Sequence, residues 1–305
     1  MASQGLQTSM QLDQIKNKHI LIDGDIIKYR CAASAEKTRY LVETVGVLNA
    51  RDYDHFDNYR EASKFSKEQE KIKGTQFTFI WSRKEVEPVE FSLQACKTTL
   101  DALLAKLSPS KVSIYLSPER TFRHDIARTK PYKGNRVQPK PKYLKEVENY
   151  LVKSHGAVFG INVEADDEIG IALFREGNSA VSVSIDKDLL QVPGWHYNWV
   201  NDTVQRITPR GADFRFYTQL LTGDVTDNIP GIAGMGPVGA QRILLGATSS
   251  KDLCSRVWNV YRGEFNDTQK AREYFLEQAT LLWILREQAR FGGTYKGYFP
   301  PIELK

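Results

Sequence analysis

Between Val163 and Gly170 the chain reads Val-Glu-Ala-Asp-Asp-Glu-Ile-Gly, with four carboxylates in five positions behind an apolar run and ahead of a helical pattern. So much like charge in one place is costly unless something positive neutralises it. A divalent metal does so readily, since hard cations such as Mg²⁺ take oxygen ligands. The plainer reading is an acidic helix N-terminus, which the helix dipole favours without any ligand. The rest of the chain decides between them.

A chain of 305 residues is long enough for one large α/β domain or a domain with a satellite. Its net charge of +5 is modest, so the distribution of charge says more than the sum. Cys31, Cys96 and Cys254 are odd in number and far apart, which argues against zinc and against a disulfide framework. They fit a reducing, cytoplasmic setting. The first residues, MASQGLQTSMQLDQ, lack the apolar core of a signal peptide, and no apolar run approaches membrane-spanning length.

Taken in order, His19–Ile22 reads as a buried strand ending at Asp23-Gly24-Asp25. The C-terminal edge of such strands is where α/β sheets place active-site groups, so Asp23 stands like a ligand, while Asp25 looks like a helix cap. Residues 37–91 read as an inserted hairpin-and-helix element: strand-like from Thr38 to Leu48, helical from Phe56 to Lys73, strand-like again from Phe77 to Trp81. Phe91–Leu107 has helical spacing, and Lys111–Leu116 alternates as a second core strand.

A basic stretch follows. Arg120, Arg123, Arg128, Lys130, Lys133, Arg136, Lys140, Lys142 and Lys145 are interrupted by one acid, Asp125, and interleaved with Tyr132 and Tyr143. Charge runs are commonly just solvated faces. Here prolines 131, 139 and 141 constrain the run beside a candidate metal edge, which favours an anionic polymer as partner. Tyr143–Ser154 reads as helix, Val158–Val163 as the strand leading into the acidic cluster, and Ala180–Ile185 as a strand ending at Asp186-Lys187-Asp188. Gly194–Ile207 suggests an antiparallel pair and Phe214–Leu221 a helix. Asp224 and Asp227 then lie three apart, able to face one point if that turn is helical. The Gly-rich turn from Gly231 through Gly234, Gly236 and Gly239 opens a short helix carrying Arg242, an arrangement that presents N–H groups to a phosphate. Residues 250–290 read as amphipathic helix, and Phe291–Lys305 carries no signal.

Five motifs in this order, Leu21-Ile22-Asp23-Gly24, Pro131–Arg136, Val163–Asp167, Ser184–Asp188 and Gly223–Gly231 with its glycine turn, make the chain resemble the 5′ nuclease family over residues 18–245. That family includes flap endonucleases, the 5′ nuclease domain of bacterial DNA polymerase I, and the free-standing 5′→3′ exonucleases and RNase H-type enzymes of tailed phages, to which the likeness is greatest. The resemblance implies an α/β fold with a mostly parallel central sheet flanked by helices, a PIN-like nuclease core. It implies a core over 1–205 carrying the insert and a basic arch near 120–145. It also implies a helical DNA-binding region over 206–305, with a helix–three-turn–helix near 224–246.

By position, Asp23, Glu164, Asp166 and Asp167 resemble ligands of a first Mg²⁺, and Asp186, Asp188, Asp224 and Asp227 ligands of a second, with Mn²⁺ able to substitute and K⁺ held at the 231–240 turn. Lys133 and Arg136 resemble the pair that steadies the scissile phosphate. Arg123, Tyr132, Gly234, Gly236, Gly239 and Arg242 would contact DNA, Tyr132 by stacking on a terminal base. The implied activity is metal-dependent 5′→3′ exonuclease or flap endonuclease action on nicked or flapped DNA, or on RNA primers, in phage replication or repair. The chain would act as a monomer, with a polymerase or single-strand-binding protein as partners. One departure stands out. The family carries an Asp after the second core strand, where this chain has Ser117-Pro118-Glu119. Either Glu119 substitutes, Ser117 binds through water, or the protein binds structured DNA without cutting it. A nuclease acting on cellular RNA is a third reading, opposed by the duplex-gripping turn.

Overall fold

The strand His19–Asp23 (β1) is buried at every residue, as its apolar Ile20-Leu21-Ile22 run requires when both faces of a sheet are covered. A computed structural model describes residues 12–287 and 302. In it β1 is the middle of a six-stranded sheet. The other strands are Lys111–Leu116 (β5), Val158–Phe159 (β6), Ala180–Val183 (β7), Gly194–Asn198 (β8) and Thr203–Ile207 (β9), in the order β6-β5-β1-β7-β8-β9. All neighbours are parallel except β9, which runs antiparallel to β8. Ile22 pairs with Ile114 on one side and Val183 on the other. The chain builds outward from β1 to β5 and β6, then returns to β7, so the order reverses between β1 and β7. Ligands of open α/β sheets bind outside the strand ends at such a reversal, and Asp23 lies there. The expected α/β fold with a mostly parallel sheet is the one observed.

Helix Ala165–Glu176 lies on this sheet through Ile169, Ala172 and Leu173, which pack with Leu21, Ala180 and Val192. Gly170 has no room for a side chain: a Cβ there would meet the Leu285 carbonyl oxygen at 2.5 Å. Helices Pro209–Thr222, Pro237–Leu244, Ser250–Glu264 and Thr268–Leu282 share a second core around Phe216, Leu220, Tyr261 and Phe275.

The chain divides into two compact units. One comprises residues up to Ile26, Leu100–Pro139 and the part from Leu151 onward; the other comprises Ile27–Thr99 and Lys140–Tyr150. The helical C-terminal part is thus grouped with the sheet. The second unit carries a three-stranded antiparallel sheet of Glu36–Gly46 (β2), Arg51–Phe56 (β3) and Thr75–Val86 (β4), ordered β3-β2-β4, with helix Tyr59–Gln69.

Several boundaries differ from the sequence reading. The edge strand β3 of the insert, Arg51–Phe56, is too polar to announce itself. The strand expected over 158–163 covers only Val158–Phe159. The helix expected from Phe214 begins at Pro209, where Thr208 caps it by accepting the Gly211 N–H at 3.1 Å. The helix expected over 250–290 is two helices, broken at Phe265–Asp267. Residues 291–305, apart from Ile302, lie outside the described residues, as do the first eleven. Among the described residues no helix is long and apolar enough to cross a membrane, and all three cysteines are free and buried.

Candidate active site

The carboxylates named from the sequence come from separate parts of the first unit, and the fold gathers most of them. Asp23 is 3% exposed at the end of β1. Its Oδ1 accepts the N–H groups of Asp25 and Ile26 at 3.1 and 3.2 Å, and its Oδ2 accepts the Ser184 hydroxyl at 2.7 Å. Asp23 therefore caps the following helix, Gly24–Ala33, a role expected of Asp25. Asp25 instead accepts the Ser117 N–H at 3.1 Å. The Ser117 hydroxyl accepts the N–H of Ala165 at 2.9 Å, which ties the end of β5 to the acidic turn, whereas Glu119 is exposed. Where the resemblance implies an Asp, this chain has a serine that holds the N–H of Ala165, between Glu164 and Asp166.

Charge at the sheet edge is lopsided. Asp166 receives no hydrogen bond on its carboxylate among the described residues, and burial followed by the fields of Asp23 and Asp186 pushes it well above the ordinary carboxylate range. Burial and Asp25 raise Asp23 to about 7. Burial, then Asp186 and Asp224, raise Asp188 to about 8. Burial also raises Asp186, with Asp227 and Asp224 adding to it. Glu164 goes the other way. Burial alone would raise it, but Arg123 and Lys133 outweigh burial and draw it down to about 2.

Asp224 and Asp227 sit in a closed loop rather than on a helical turn. Asp224 and Ile229 exchange backbone hydrogen bonds of 2.7 Å in both directions, and the Asp224 carboxylate accepts the N–H groups of Thr226 and Asp227. Gly223 and Gly231 close the neck backbone to backbone, both at positive φ; a Cβ on Gly231 would lie 2.3 Å from the Gly223 nitrogen. Gly231→Ala is therefore expected to open the loop, destabilise the protein by about 1–3 kcal/mol and displace Asp224 and Asp227. Equilibrium urea unfolding measures the first effect.

The basic turn is laced onto this loop. The Lys133 N–H donates to the Asp227 carbonyl at 3.0 Å, Asn135 Nδ2 to the Val225 carbonyl at 2.6 Å, and Asn228 Nδ2 to the Pro131 carbonyl at 2.9 Å. Lys133 Nζ lies 2.5 Å from Glu164 and 3.8 Å from Asp227, and Arg136 donates to Asp227 at 2.5 Å. Gln219, which carries no signal in the sequence, gives its amide to both Asp188 (3.0 Å) and Asp224 (3.1 Å). Ser184 and Gln219 thus hold the carboxylates in place, and so do Asn135 and Asn228 for the loop.

Three assigned roles need correction. Asp167 is fully buried and its four lone-pair directions are filled: Arg123 donates twice, at 2.5 and 2.9 Å, Glu164 N–H at 3.0 Å and Leu285 N–H at 3.1 Å. It has nothing left for a metal. Arg123 is 3% exposed and also donates to the carbonyls of Leu281 and Trp283, so it binds protein, not DNA. Tyr132 is 6% exposed with its hydroxyl shared between Glu164 and Asp227, so no ring face is open for stacking on a base. Gly234, Gly236 and Arg242 are exposed as expected, and Gly239 lies within the helix Pro237–Leu244, where a Cβ would meet Met235 Sδ at 2.9 Å.

Among the described residues, no three His, Cys, Asp or Glu side chains converge closely enough to hold an ion as they stand. Lys133 and Arg136 take Glu164 and Asp227 instead. The donor chemistry still fits a hard cation: every group is a carboxylate, and the charge around Asp166 has no hydrogen-bond donor to meet it.

The raised carboxyls set a pH dependence. A folded-state pKa above the unfolded value means that the folded chain holds the proton longer, so stability present at low pH is lost as pH rises toward the folded pKa. For Asp23 and Asp188 the windows run from 3.8 to about 7 and about 8. Metal-free protein is expected to lose up to about 1.4 kcal/mol per group for each pH unit within them, while Glu164, lowered from 4.5 to about 2, contributes no slope above pH 5. Melting temperatures in EDTA should therefore fall from pH 5 to pH 8, and Mg²⁺ should restore more stability at pH 8 than at pH 5.

No family model matches the chain. A 5′-3′ exonuclease of Buchnera aphidicola subsp. Schizaphis graminum is 26% identical over 219 residues, covering 64% of this chain and 74% of that protein. A flap endonuclease Xni of Shewanella piezotolerans is 31% identical over 129 residues, 37% of this chain and 50% of the relative. Among solved structures, the flap endonuclease of bacteriophage T5, in a pseudo-enzyme-product complex with DNA and metal ions, matches with a TM-score of 0.50 at 15% identity. That match covers 62% of this chain and 80% of that one. At such identity the match speaks for the fold alone.

Proposed function

This chain belongs to the 5′ nuclease family, and we propose that it hydrolyses phosphodiester bonds near the 5′ ends of nicked or flapped DNA. The observation that carries this reading is the sheet edge itself: at the reversal between β1 and β7, burial and the charges of Asp23 and Asp186 raise Asp166, Asp186 adds to the raising of Asp23, and Lys133 is the cation that opposes the rise at Asp166.

In this proposal Asp23, Glu164, Asp166 and Asp186 would hold a first divalent ion, and Asp186, Asp188, Asp224 and Asp227 a second, Mg²⁺ with Mn²⁺ as substitute. Such ions supply Lewis acidity at the scissile phosphate and lower the pKa of water. The chain's own groups do the rest. Lys133 and Arg136, released from Glu164 and Asp227, would bind the scissile phosphate and meet the charge that develops on it. Ser184 and Gln219 keep Asp23, Asp188 and Asp224 from rotating away, so these three carboxylates are held in place before substrate arrives.

Exposed Gly234 and Gly236, just before Pro237–Leu244, and exposed Arg242 in the last turn of that helix would take duplex phosphates, with a K⁺ among the carbonyls of the 231–240 turn. A cavity of about 720 Å³, lined by Lys187, Arg210, Arg215 and Gln241, adjoins Asp188 and extends the positive surface. Activity on RNA primers, a place in phage replication, and polymerase or single-strand-binding partners complete the proposal.

Lys133→Met is expected to slow single-turnover cleavage of a flap by about 10²–10³-fold with little change in substrate affinity. Parallel reactions on flap, nick and RNA–DNA hybrid rank the substrates. Cleavage of internal RNA with no competition from duplex DNA would favour the RNA-nuclease reading instead.

A further inference from the structure

The three-stranded sheet of the insert has two different faces. One is covered by helix Tyr59–Gln69, with Ser66 bonded to Thr78 at 2.7 Å and the Phe56 and Phe65 rings 5.1 Å apart. The other carries a row of rings. Phe77, Phe79 and Trp81 alternate along β4 at 44, 46 and 56% exposure, and Tyr53 on β3 is 49% exposed. The register places Glu43 of β2 opposite both Phe79 and Tyr53, so all these side chains leave the same face. Ring centroids lie 5.1 Å apart from Phe77 to Phe79 and 6.2 Å from Phe79 to Trp81. Soluble proteins rarely leave so many rings in one exposed patch without a use for it.

We propose that this face is a stacking platform for single-stranded nucleic acid. The rings are held in place from beneath. Glu43, only 5% exposed, accepts the Trp81 indole N–H at 3.0 Å, the Tyr53 hydroxyl at 3.2 Å and the Arg51 guanidinium at 2.8 Å. Both polar ring edges are therefore turned down toward Glu43 and their faces fixed before a ligand arrives, which lowers the entropic cost of binding. Arg51 and Arg83 flank the row at 61 and 78% side-chain exposure. Among the described residues Arg83 pairs with Glu85 at 2.5 Å, a part-exposed carboxylate that Arg39 also holds, a pairing weak enough to yield to a phosphate.

Rings beside arginines match bases beside phosphates, and bases offer their faces only where they are unpaired. A second copy of the chain would instead have to bury both guanidinium groups, which is costly without new partners. The inference rests on the nuclease reading for the class of ligand; the site itself does not depend on it.

The test uses the full chain in EDTA, fluorescein-labelled oligo(dT) and anisotropy, with Phe77→Ser, Phe79→Ser and Trp81→Ser beside the wild type. Each variant should bind about tenfold more weakly, and the wild type's tryptophan emission should be quenched by the unlabelled oligomer. Cleavage of a nicked duplex without a tail should be unchanged. Phe77 makes no hydrogen bond through its ring, so its variant preserves the Glu43 anchor if Trp81→Ser disturbs it. Oligo(dT) affinity equal to wild type in Phe77→Ser and Phe79→Ser overturns the proposal. So does a wild-type dimer that these variants convert to monomer. Loss of nick cleavage in the wild type would sink the nuclease reading and leave the binding comparison standing.

Discussion

Asp166→Asn should slow Mg²⁺-dependent cleavage at least about 10²-fold and at the same time raise the melting temperature of the metal-free protein. The two effects share a cause. Asp166 stands among Asp23, Asp186 and Glu164 with no hydrogen-bond donor on its carboxylate among the described residues, and burial and those neighbours push its pKa well up. Ionised, it is repelled; protonated to escape repulsion, it has taken up a proton that the unfolded chain at pH 8 would not bind. Either way the folded state bears the cost, and asparagine removes it. A gain on the order of 1 kcal/mol is expected, worth about 2 °C in a chain of 305 residues. A site kept for cation binding should behave in this way: function and metal-free stability pull in opposite directions. Differential scanning fluorimetry in EDTA and a cleavage assay in Mg²⁺, run on the same preparation, read both. A lower melting temperature in EDTA would mean that Asp166 has a structural partner and is no vacant ligand.

Asp167, next in sequence, should do the opposite. Its pair with Arg123 is buried, bidentate and joined to the carbonyls of Leu281 and Trp283. Arg123→Met or Asp167→Asn leaves the other member buried and uncompensated, a change expected to cost about 3–5 kcal/mol. Arg123→Lys should rescue little, because an ammonium cannot reproduce the fork that spans both carboxylate oxygens and two carbonyls. Urea unfolding in EDTA measures the loss. If Asp167→Asn kept full stability in EDTA and lost only Mg²⁺-dependent cleavage, Asp167 would be a metal ligand after all.

These neighbours show where sequence reading stopped. Strand ends and acidic pairs are local signals, so Asp23, Asp166, Asp186 and Asp188 could be placed on one sheet edge from apolar runs alone. What the local pattern lacked was pairing over distance. Arg123 meets Asp167 from 44 positions away, and nothing in a basic run distinguishes the one cation that turns inward from those that face water. Tyr132 was misread for the same reason: its two hydroxyl acceptors lie 32 and 95 positions off. Gln219 and Ser184 look like ordinary helix and strand residues until the carboxylates they hold are in view. The Asp224–Asp227 loop was read as helical because spacing of three suits a helix; the glycines at 223 and 231, which close it instead, act through a backbone contact that no periodicity reports. The insert's aromatic row was visible as alternation along one strand, but the exposure that makes it notable depends on which face the helix covers.

The central claim is that the acidic sheet edge holds divalent cations that the protein needs to cut DNA near a 5′ end. It is tested most directly by following a 5′-labelled flap substrate with Mg²⁺, with wild type and Asp186→Asn side by side and an EDTA control. The account predicts short labelled products from the wild type in Mg²⁺ and none in EDTA, with at least about 10²-fold less from the variant. Cleavage that survives EDTA, or that Asp186→Asn performs at the wild-type rate, would contradict it.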